Sequence, residues 1–186
     1  MNWIFWLSAI LIILSSCQKD NDENQELLLI CFNEFYLNSG INAVDTLNVF
    51  EQELIKEGHL KSKDGNSYLL LLTFLRDSIY FKPLLTKKSF DNNMLYTNPT
   101  NLMECVQENY GVDTSEISDM PYYHCTNEIK KMILVEETIP IQSIFGLYVE
   151  HLNQAELTKP FVRISLLHLL YKWYYASKYN RIYSLQ

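Results

Sequence analysis

Two cysteines and one histidine, Cys105, His124 and Cys125, have the side chains best suited to chemistry. His124 stands directly before Cys125, and Cys105 precedes both. An imidazole beside a thiol can activate a nucleophile, and the three side chains together would supply three of the four ligands of a zinc site. However, the sequence has no C-x-x-C or H-x-x-x-H pair, and the spacing indicates no fourth ligand. We therefore predict no bound metal, no cofactor and no catalytic residue.

The established catalytic and nucleotide-binding motifs are also missing from the sequence. It contains no G-x-S-x-G, H-E-x-x-H, Walker loop or G-x-G-x-x-G. The sequence thus favours a protein that is not an enzyme. A small hydrolase-like enzyme that works through His124 and Cys125 remains the alternative, and convergence of these two side chains in a concave pocket would support it.

Tyrosines are the remaining candidates for contact with a ligand. Tyr122 and Tyr123 follow Pro121 in a predicted loop, where rigid amphipathic rings suit glycan stacking or a protein interface. Four further tyrosines are spaced four residues apart near the end of the chain: Tyr171, Tyr175, Tyr179 and Tyr183. Such a stripe at helical spacing is more typical of the edge of a core than of a binding surface.

The first seventeen residues have the pattern of an export signal that ends at a modified cysteine. Residues Trp3 to Leu14 form an apolar run that is too short to span a bilayer, which takes about 20 residues. Leu14-Ser15-Ser16-Cys17 follows, and this tetrapeptide resembles the lipobox of bacterial lipoproteins. The resemblance implies that residues 1–16 are a signal peptide. It also implies that Cys17 is acylated, by palmitate among other chains, and anchors an extracytoplasmic domain in a membrane.

A polar tether, residues 17–25, comes directly after this signal. It contains no side chain that could be buried in a core, so we expect it to separate the lipid from the domain. Lys19 followed by acidic residues resembles the surface-export signal of lipoproteins from the Bacteroidota, although Asn21 interrupts the acidic run. The resemblance implies an outer-membrane lipoprotein, and it favours the cell surface over the periplasmic face.

An acylated Cys17 would place the other three cysteines in an oxidising compartment, where disulfides form. An odd number leaves one thiol free. We predict that Cys105 pairs with Cys125, because the loop between them can bring the two helix ends together and its closure would contribute about 3 kcal/mol. Two separate buried thiols are the alternative. Cys31 has apolar neighbours and is expected to be an inert core residue.

The spacing of apolar residues predicts a mainly α domain of six or seven helices over residues 26–186, with an extended segment near residues 79–85. A short strand at residues 27–32 competes with the first helix. The first predicted helix runs from Asn24 to Asn38 and is ended by Gly40, and the second is capped by Asp45 and runs until Gly58. The third runs from Tyr68 to Arg76 with Asn66 or Ser67 as its cap, and the fourth opens at Asn98 and is closed by Gly111. The last three are a helix capped by Thr126, one with Pro140 in its first turn, and one from Pro160 to about Tyr179.

The last of these helices shows the clearest pattern. Its polar positions gather on one narrow strip and most others are apolar, so the helix is expected to lie at the centre of the core. The strip consists of Ser165, His168, Lys172, Ala176 and Tyr179. From residue 157 onward the chain carries basic residues and no acidic one, whereas the preceding part is strongly acidic.

Composition limits what kind of protein this is. The chain has 186 residues, of which 48% are hydrophobic, enough for one globular domain and too few for two ordinary ones. A formal net charge of -7 argues against a nucleic-acid partner. We expect a lipid-anchored interaction or structural module that holds an envelope protein or glycan. An inhibitor or immunity lipoprotein with a clustered acidic patch for a basic partner is a further alternative.

Overall fold

A computed structural model describes residues 22–78, 95, 99, 101–135 and 139–178. This part of the chain is mainly α, as predicted. The alternative of a short strand at residues 27–32 is wrong, because those residues are helical. Cys17, residues 18–21 of the tether and the predicted extended segment at residues 79–85 lie outside the described residues. The prediction for the rest of the tether was wrong: residues 22–25 form the first turn of a helix, and Asn24 and Gln25 are buried because that helix packs on the domain. Among the helices that are described, none combines the length and the apolar character needed to cross a membrane.

Nine helices are described, more than the six or seven predicted. They are α1 (residues 22–37), α2 (Ala43–Lys56), α3 (Gly65–Asp77), α4 (Leu102–Tyr110), α5 (Thr114–Ser118), α6 (Pro121–Val135), α7 (Ile141–His151), α8 (Gln154–Thr158) and α9 (Pro160–Lys178). The additional helices are α5 and α8, each of five residues. A single helical turn is too short to show an apolar period, so neither could be predicted from spacing.

Two helices begin earlier than predicted, because a different polar residue caps each one. Asn42 rather than Asp45 caps α2, and its side chain accepts a hydrogen bond from the Asp45 amide. Asp64, rather than Asn66 or Ser67, caps α3 in the same way. In each case the residue just outside the first turn satisfies an amide that the helix leaves without a partner.

The prediction for the start of α6 was wrong. This helix begins at Pro121, and Thr126 lies inside it, where its hydroxyl donates to the Tyr123 carbonyl. Tyr122 and Tyr123 therefore belong to the first turn of a helix and not to a loop. The helix ends were predicted better, since Gly40 and Gly111 both adopt the left-handed conformation expected of residues that terminate a helix.

Helix α9 lies at the centre of the core, as its apolar pattern predicted. Between residues 161 and 174, only Arg163, Leu169 and Trp173 are not classed as buried. Helix α9 packs against α2 and α8, α3 packs against α7 and α8, and α6 packs against α7. The three described polar residues of its strip, Ser165, His168 and Lys172, are buried as well.

A buried carboxylate joins three of these segments. Glu51 of α2 is fully buried, and its oxygens accept hydrogen bonds from the Tyr68 hydroxyl of α3 at 2.6 Å and from the Arg163 guanidinium of α9 at 3.2 Å. The ammonium of Lys63 lies 2.7 Å from the second carboxylate oxygen. Burial, followed by the contact with Glu51, raises the pKa of Tyr68 and keeps it a donor.

One disulfide is present in the described part, and it is not the predicted one. Cys105 of α4 pairs with Cys31 of α1, with their Cα atoms 6.1 Å apart, while Cys125 is a buried free thiol. Cys31 is therefore a crosslink and not the inert core thiol that was expected. Cys125 points into the core from α6, whereas Cys105 lies at the contact of α4 with α1, so loop length alone misled the prediction.

We predict that Cys31→Ala/Cys105→Ala lowers the free energy of unfolding by about 2–4 kcal/mol, because the bond constrains a long loop in the unfolded chain. Urea unfolding of oxidised and reduced wild type, beside the double variant, measures the effect. A reductant should destabilise wild type and leave the variant unchanged. Peptide mapping under nonreducing conditions that recovered a Cys105–Cys125 pair would contradict the pairing.

Gly65 permits the close packing of α3 on α8. A Cβ placed there would collide with the backbone of Gln154, which cannot yield as a flexible side chain can. We predict that Gly65→Ala destabilises the domain by about 1–3 kcal/mol. Gly146 is the matched control, because a Cβ there would meet only the Arg76 side chain at an ordinary 3.7 Å.

Gly146→Ala should therefore be neutral or stabilise the domain by up to about 1 kcal/mol, since alanine favours the helical backbone. Thermal unfolding followed by circular dichroism compares the two variants. Equal melting temperatures for the two would show that α3 and α8 do not depend on this contact.

Candidate ligand-binding pocket

A pocket of about 210 Å³ opens between three helices of the core. Helix α6 forms one wall, α7 the second and α9 the floor. Its apolar surface comes from Ile129, Ile133, Ile144 and Leu169, and its polar surface from Tyr122, Thr126, Lys130, Tyr148, Ser165, His168 and Lys172. Apolar walls with a few convergent polar groups are the usual composition of a small-molecule site.

The floor of the pocket is the first part of the polar strip predicted on α9. Ser165, His168 and Lys172 follow one another at intervals of three and four residues, so that they project from the same side of the helix. All three are buried. The prediction placed them on one face, and the structure adds that this face borders a pocket and is not open surface.

Tyrosine hydroxyls form a small hydrogen-bonded group at one side of the pocket. The Tyr122 hydroxyl of α6 is hydrogen bonded to the side chains of Ser165 on α9 and Tyr148 on α7. Burial raises the pKa of Tyr122, so its hydroxyl remains protonated. The Tyr122 ring packs edge-on against Phe161, with ring centres 5.4 Å apart. The group joins all three helices around the pocket.

The His168 imidazole contacts residues that do not line the pocket. Its Nε2 lies 2.6 Å from the Leu95 carbonyl oxygen and 2.9 Å from the Tyr36 hydroxyl. A carbonyl oxygen can only accept, so Nε2 carries a proton and donates it. The imidazole also packs edge-on against Phe32 at 5.5 Å. These contacts fix the ring in one orientation at the pocket floor.

Lys172 is the last of the three buried polar residues of α9 that line the pocket. Its exposed fraction is only 3%, and burial lowers its pKa to about 8. Removing an ammonium from water disfavours its charged form, so this lysine exchanges its proton closer to neutral pH than a surface lysine does. Lys130 of α6 is the other lysine of the pocket, and its side chain is exposed.

Of the two tyrosines predicted to contact a ligand, the structure brings only Tyr122 to this pocket. Tyr123 instead stacks on Phe161, with ring centres 6.4 Å apart and the planes 12° from parallel. Burial raises the pKa of Tyr123 as well. One of the two tyrosines predicted to contact a ligand therefore lines the pocket, and its neighbour packs beside it.

His124 and Cys125, the residues of the alternative enzyme hypothesis, do not converge on the pocket. His124 is exposed on α6, whereas Cys125 is fully buried, and neither belongs to the pocket lining. Burial raises the pKa of the Cys125 thiol to about 12. A thiol in this state is not an activated nucleophile.

The residues that were considered as zinc ligands, and for which no metal was predicted, are separated too. Cys105 is consumed in the disulfide with Cys31, and Cys125 lies in the core. Within the described ranges, one group of potential metal ligands lies close enough together, namely Cys31, Glu34 and Cys105. Its two sulfur atoms are bonded to each other, so they cannot bind a metal as thiolates.

The sequence carried a partial signal for the pocket residues that were not predicted. Thr126, Ile129, Lys130 and Ile133 recur on α6 with the spacing of one helical face. Because α6 was predicted to begin at Thr126, Tyr122, one turn earlier, was not recognised as part of the same helical face. Comparison of the chain with protein-family models, curated proteins and solved structures finds no match.

Proposed function

We propose that this chain is a lipid-anchored lipoprotein of the cell envelope whose helical domain is a binding module. The lipobox-like Leu14 to Cys17 and the polar tether support the anchor. Acyl chains on Cys17 would hold the domain at the outer membrane, preferentially on the cell surface. The domain itself would then bind a partner without needing to diffuse.

The pocket between α6, α7 and α9 is the observation that supports binding. It combines apolar walls with buried polar groups from one strip of α9. Polar side chains are costly to bury, so a core optimised only for stability would replace them with apolar ones. Their retention around an open cavity is understandable when a bound group uses them. A volume of 210 Å³ admits a small molecule or the end of a larger protein or glycan partner.

The alternative of an inhibitor or immunity lipoprotein has one observation in its favour. Glu34 of α1 and Glu104 and Glu108 of α4 line a shallow groove beside the Cys31–Cys105 disulfide. Three exposed carboxylates in one place suit a basic partner. Capture of a basic protein by wild type, and its loss with Glu104→Lys/Glu108→Lys, would favour this function over binding in the pocket.

Processing at Cys17 tests the anchor. Intact-mass analysis of the membrane fraction should show loss of residues 1–16 and addition of acyl chains. Cys17→Ala should remain unprocessed, because the acyl chain is attached to this thiol. Full-length, unacylated wild type from a host with the lipoprotein pathway would refute the proposed anchor.

Occlusion of the pocket tests the binding module. Thr126→Phe should fill the cavity, whereas Asn127→Phe adds the same ring at the neighbouring exposed position. We expect envelope-derived species to co-purify with wild type and with Asn127→Phe, and to be lost with Thr126→Phe. Extraction of the purified proteins followed by mass spectrometry identifies these species.

Two results would contradict the module. One is equal recovery of the same species with all three proteins, which would place their binding elsewhere. The other is that wild type carries nothing beyond the background of an untagged control. Circular dichroism checks that both variants are folded.

A further inference from the structure

The Cys31–Cys105 disulfide lies in a groove that is lined by several metal-binding side chains. The groove runs between α1 and α4 and measures about 310 Å³. Glu34 follows Cys31 by three residues on α1, and Glu108 follows Cys105 by three residues on α4, so each cysteine shares one side of its helix with a glutamate. All four residues line the groove. It therefore combines two cysteine sulfurs with carboxylates from both helices.

Three of these side chains lie close enough together to hold one ion. The two sulfur atoms and a carboxylate oxygen of Glu34 are all within 4.8 Å of one another, and this oxygen is 4.0 Å from the Cys105 sulfur. Sulfur and oxygen ligands of one tetrahedral zinc ion lie about 3.5–3.8 Å apart, given their bond lengths to the metal. The Cα atoms of Cys31 and Cys105 are 6.1 Å apart, so side-chain rotation can separate the sulfurs by that distance once their bond is broken.

The charge of the groove favours a cation. Among the described residues, its lining contains the carboxylates of Glu34, Glu104 and Glu108 and no Lys, Arg or His. Two thiolates beside a carboxylate repel one another, and a dication bound between them offsets that repulsion. Thiolates select soft and borderline ions, so zinc is favoured over magnesium and calcium.

We propose that the reduced Cys31 and Cys105 form, with Glu34, a binding site for Zn²⁺ or a similar divalent transition metal. The same two sulfur atoms would then act either as a crosslink or as metal ligands. A tetrahedral ion with three protein ligands keeps one position for water. The site shares no lining residue with the pocket between α6, α7 and α9, so it is a function beyond the binding proposed there.

The change from crosslink to metal site takes two steps. A dithiol reductant breaks the bond between the sulfurs by giving up two electrons and two protons, and it becomes a cyclic disulfide while Cys31 and Cys105 become thiols. Cys105 is only half-buried, which lets the reductant reach it from the groove. Zn²⁺ then replaces the two thiol protons, which pass to the solvent.

Co²⁺ is the probe that tests the site, because a thiolate bound to Co²⁺ gives a charge-transfer band in the near ultraviolet. The full chain carries Cys17→Ala, which removes the thiol outside the described residues, and it is reduced with a phosphine that is removed without admitting air. We expect one equivalent of Co²⁺ to produce this band and the visible bands of tetrahedral coordination, and Zn²⁺ to abolish both. The oxidised protein should show neither.

Glu34→Gln in this chain keeps both cysteines and removes the carboxylate ligand. We expect its reduced form to bind Co²⁺ about tenfold or more weakly, since loss of a group that only supports a metal ligand already costs about 10–100-fold. Glu26→Gln is the matched control, because Glu26 is an exposed carboxylate of α1 that does not line the groove. Its affinity should stay within about twofold of the parent chain. Both glutamates are exposed, and circular dichroism checks that the variants are folded.

Thermal unfolding gives a second readout. Zn²⁺ should raise the melting temperature of the reduced parent chain, because it binds the folded state, and should leave that of the oxidised chain unchanged. An equal rise in the oxidised chain would show binding through carboxylates alone and would overturn the thiolate site.

Three results of the Co²⁺ titration would also overturn the proposal. The first is a reduced parent chain without the charge-transfer band. The second is a band of equal intensity in Cys31→Ala/Cys105→Ala, which would place the metal on Cys125. The third is equal affinity of Glu34→Gln and Glu26→Gln, which would exclude Glu34 as a ligand.

Discussion

The buried Glu51 carboxylate imposes the constraint on which much of the described structure depends. An ionised carboxylate in a protein core costs several kcal/mol unless charged and polar partners surround it. Its partners here are Lys63, Tyr68 and Arg163, which come from the loop before α3, from α3 and from α9. No single helix can supply this set. Helices α2, α3 and α9 must therefore meet at one place, and removal of any one partner would leave charge in the core without its full compensation.

Helix α9 extends from this ion cluster to the pocket, so a single element serves both. Arg163 lies near its beginning and Lys172 nine residues later, about 14 Å along the axis. The two cations have different roles. The guanidinium of Arg163 holds Glu51, whereas burial lowers the pKa of Lys172 to about 8 beside the pocket. The fixed cluster holds α9 in place, which keeps Ser165, His168 and Lys172 aligned along the pocket floor.

Local signals predicted helix ends more reliably than helix beginnings, for a physical reason. A residue that follows a helix in the left-handed conformation is nearly always glycine, and Gly40 and Gly111 were identified by that requirement alone. At the other end, several residue types can cap a helix, and asparagines, aspartates and serines often lie within a few residues of one another. In the structure Asn42, not Asp45, caps α2, and Asp64, not Asn66 or Ser67, caps α3. The spacing of apolar residues did not distinguish among them.

The sequence alone determined that the described domain is mainly α and that Ser165, His168 and Lys172 share one side of a central helix, because both properties repeat along the chain at the period of the helix. Tertiary structure alone decided what covers that side and which cysteines meet. Residues of α6 and α7 form the walls of a pocket whose floor is Ser165, His168 and Lys172. The contact of α1 with α4 brings Cys31 and Cys105 together, although 74 residues separate them in sequence. Helical periodicity describes the faces of one helix. It contains no information on which face of a distant helix will pack against it, since that choice depends on the shape and burial of the whole core.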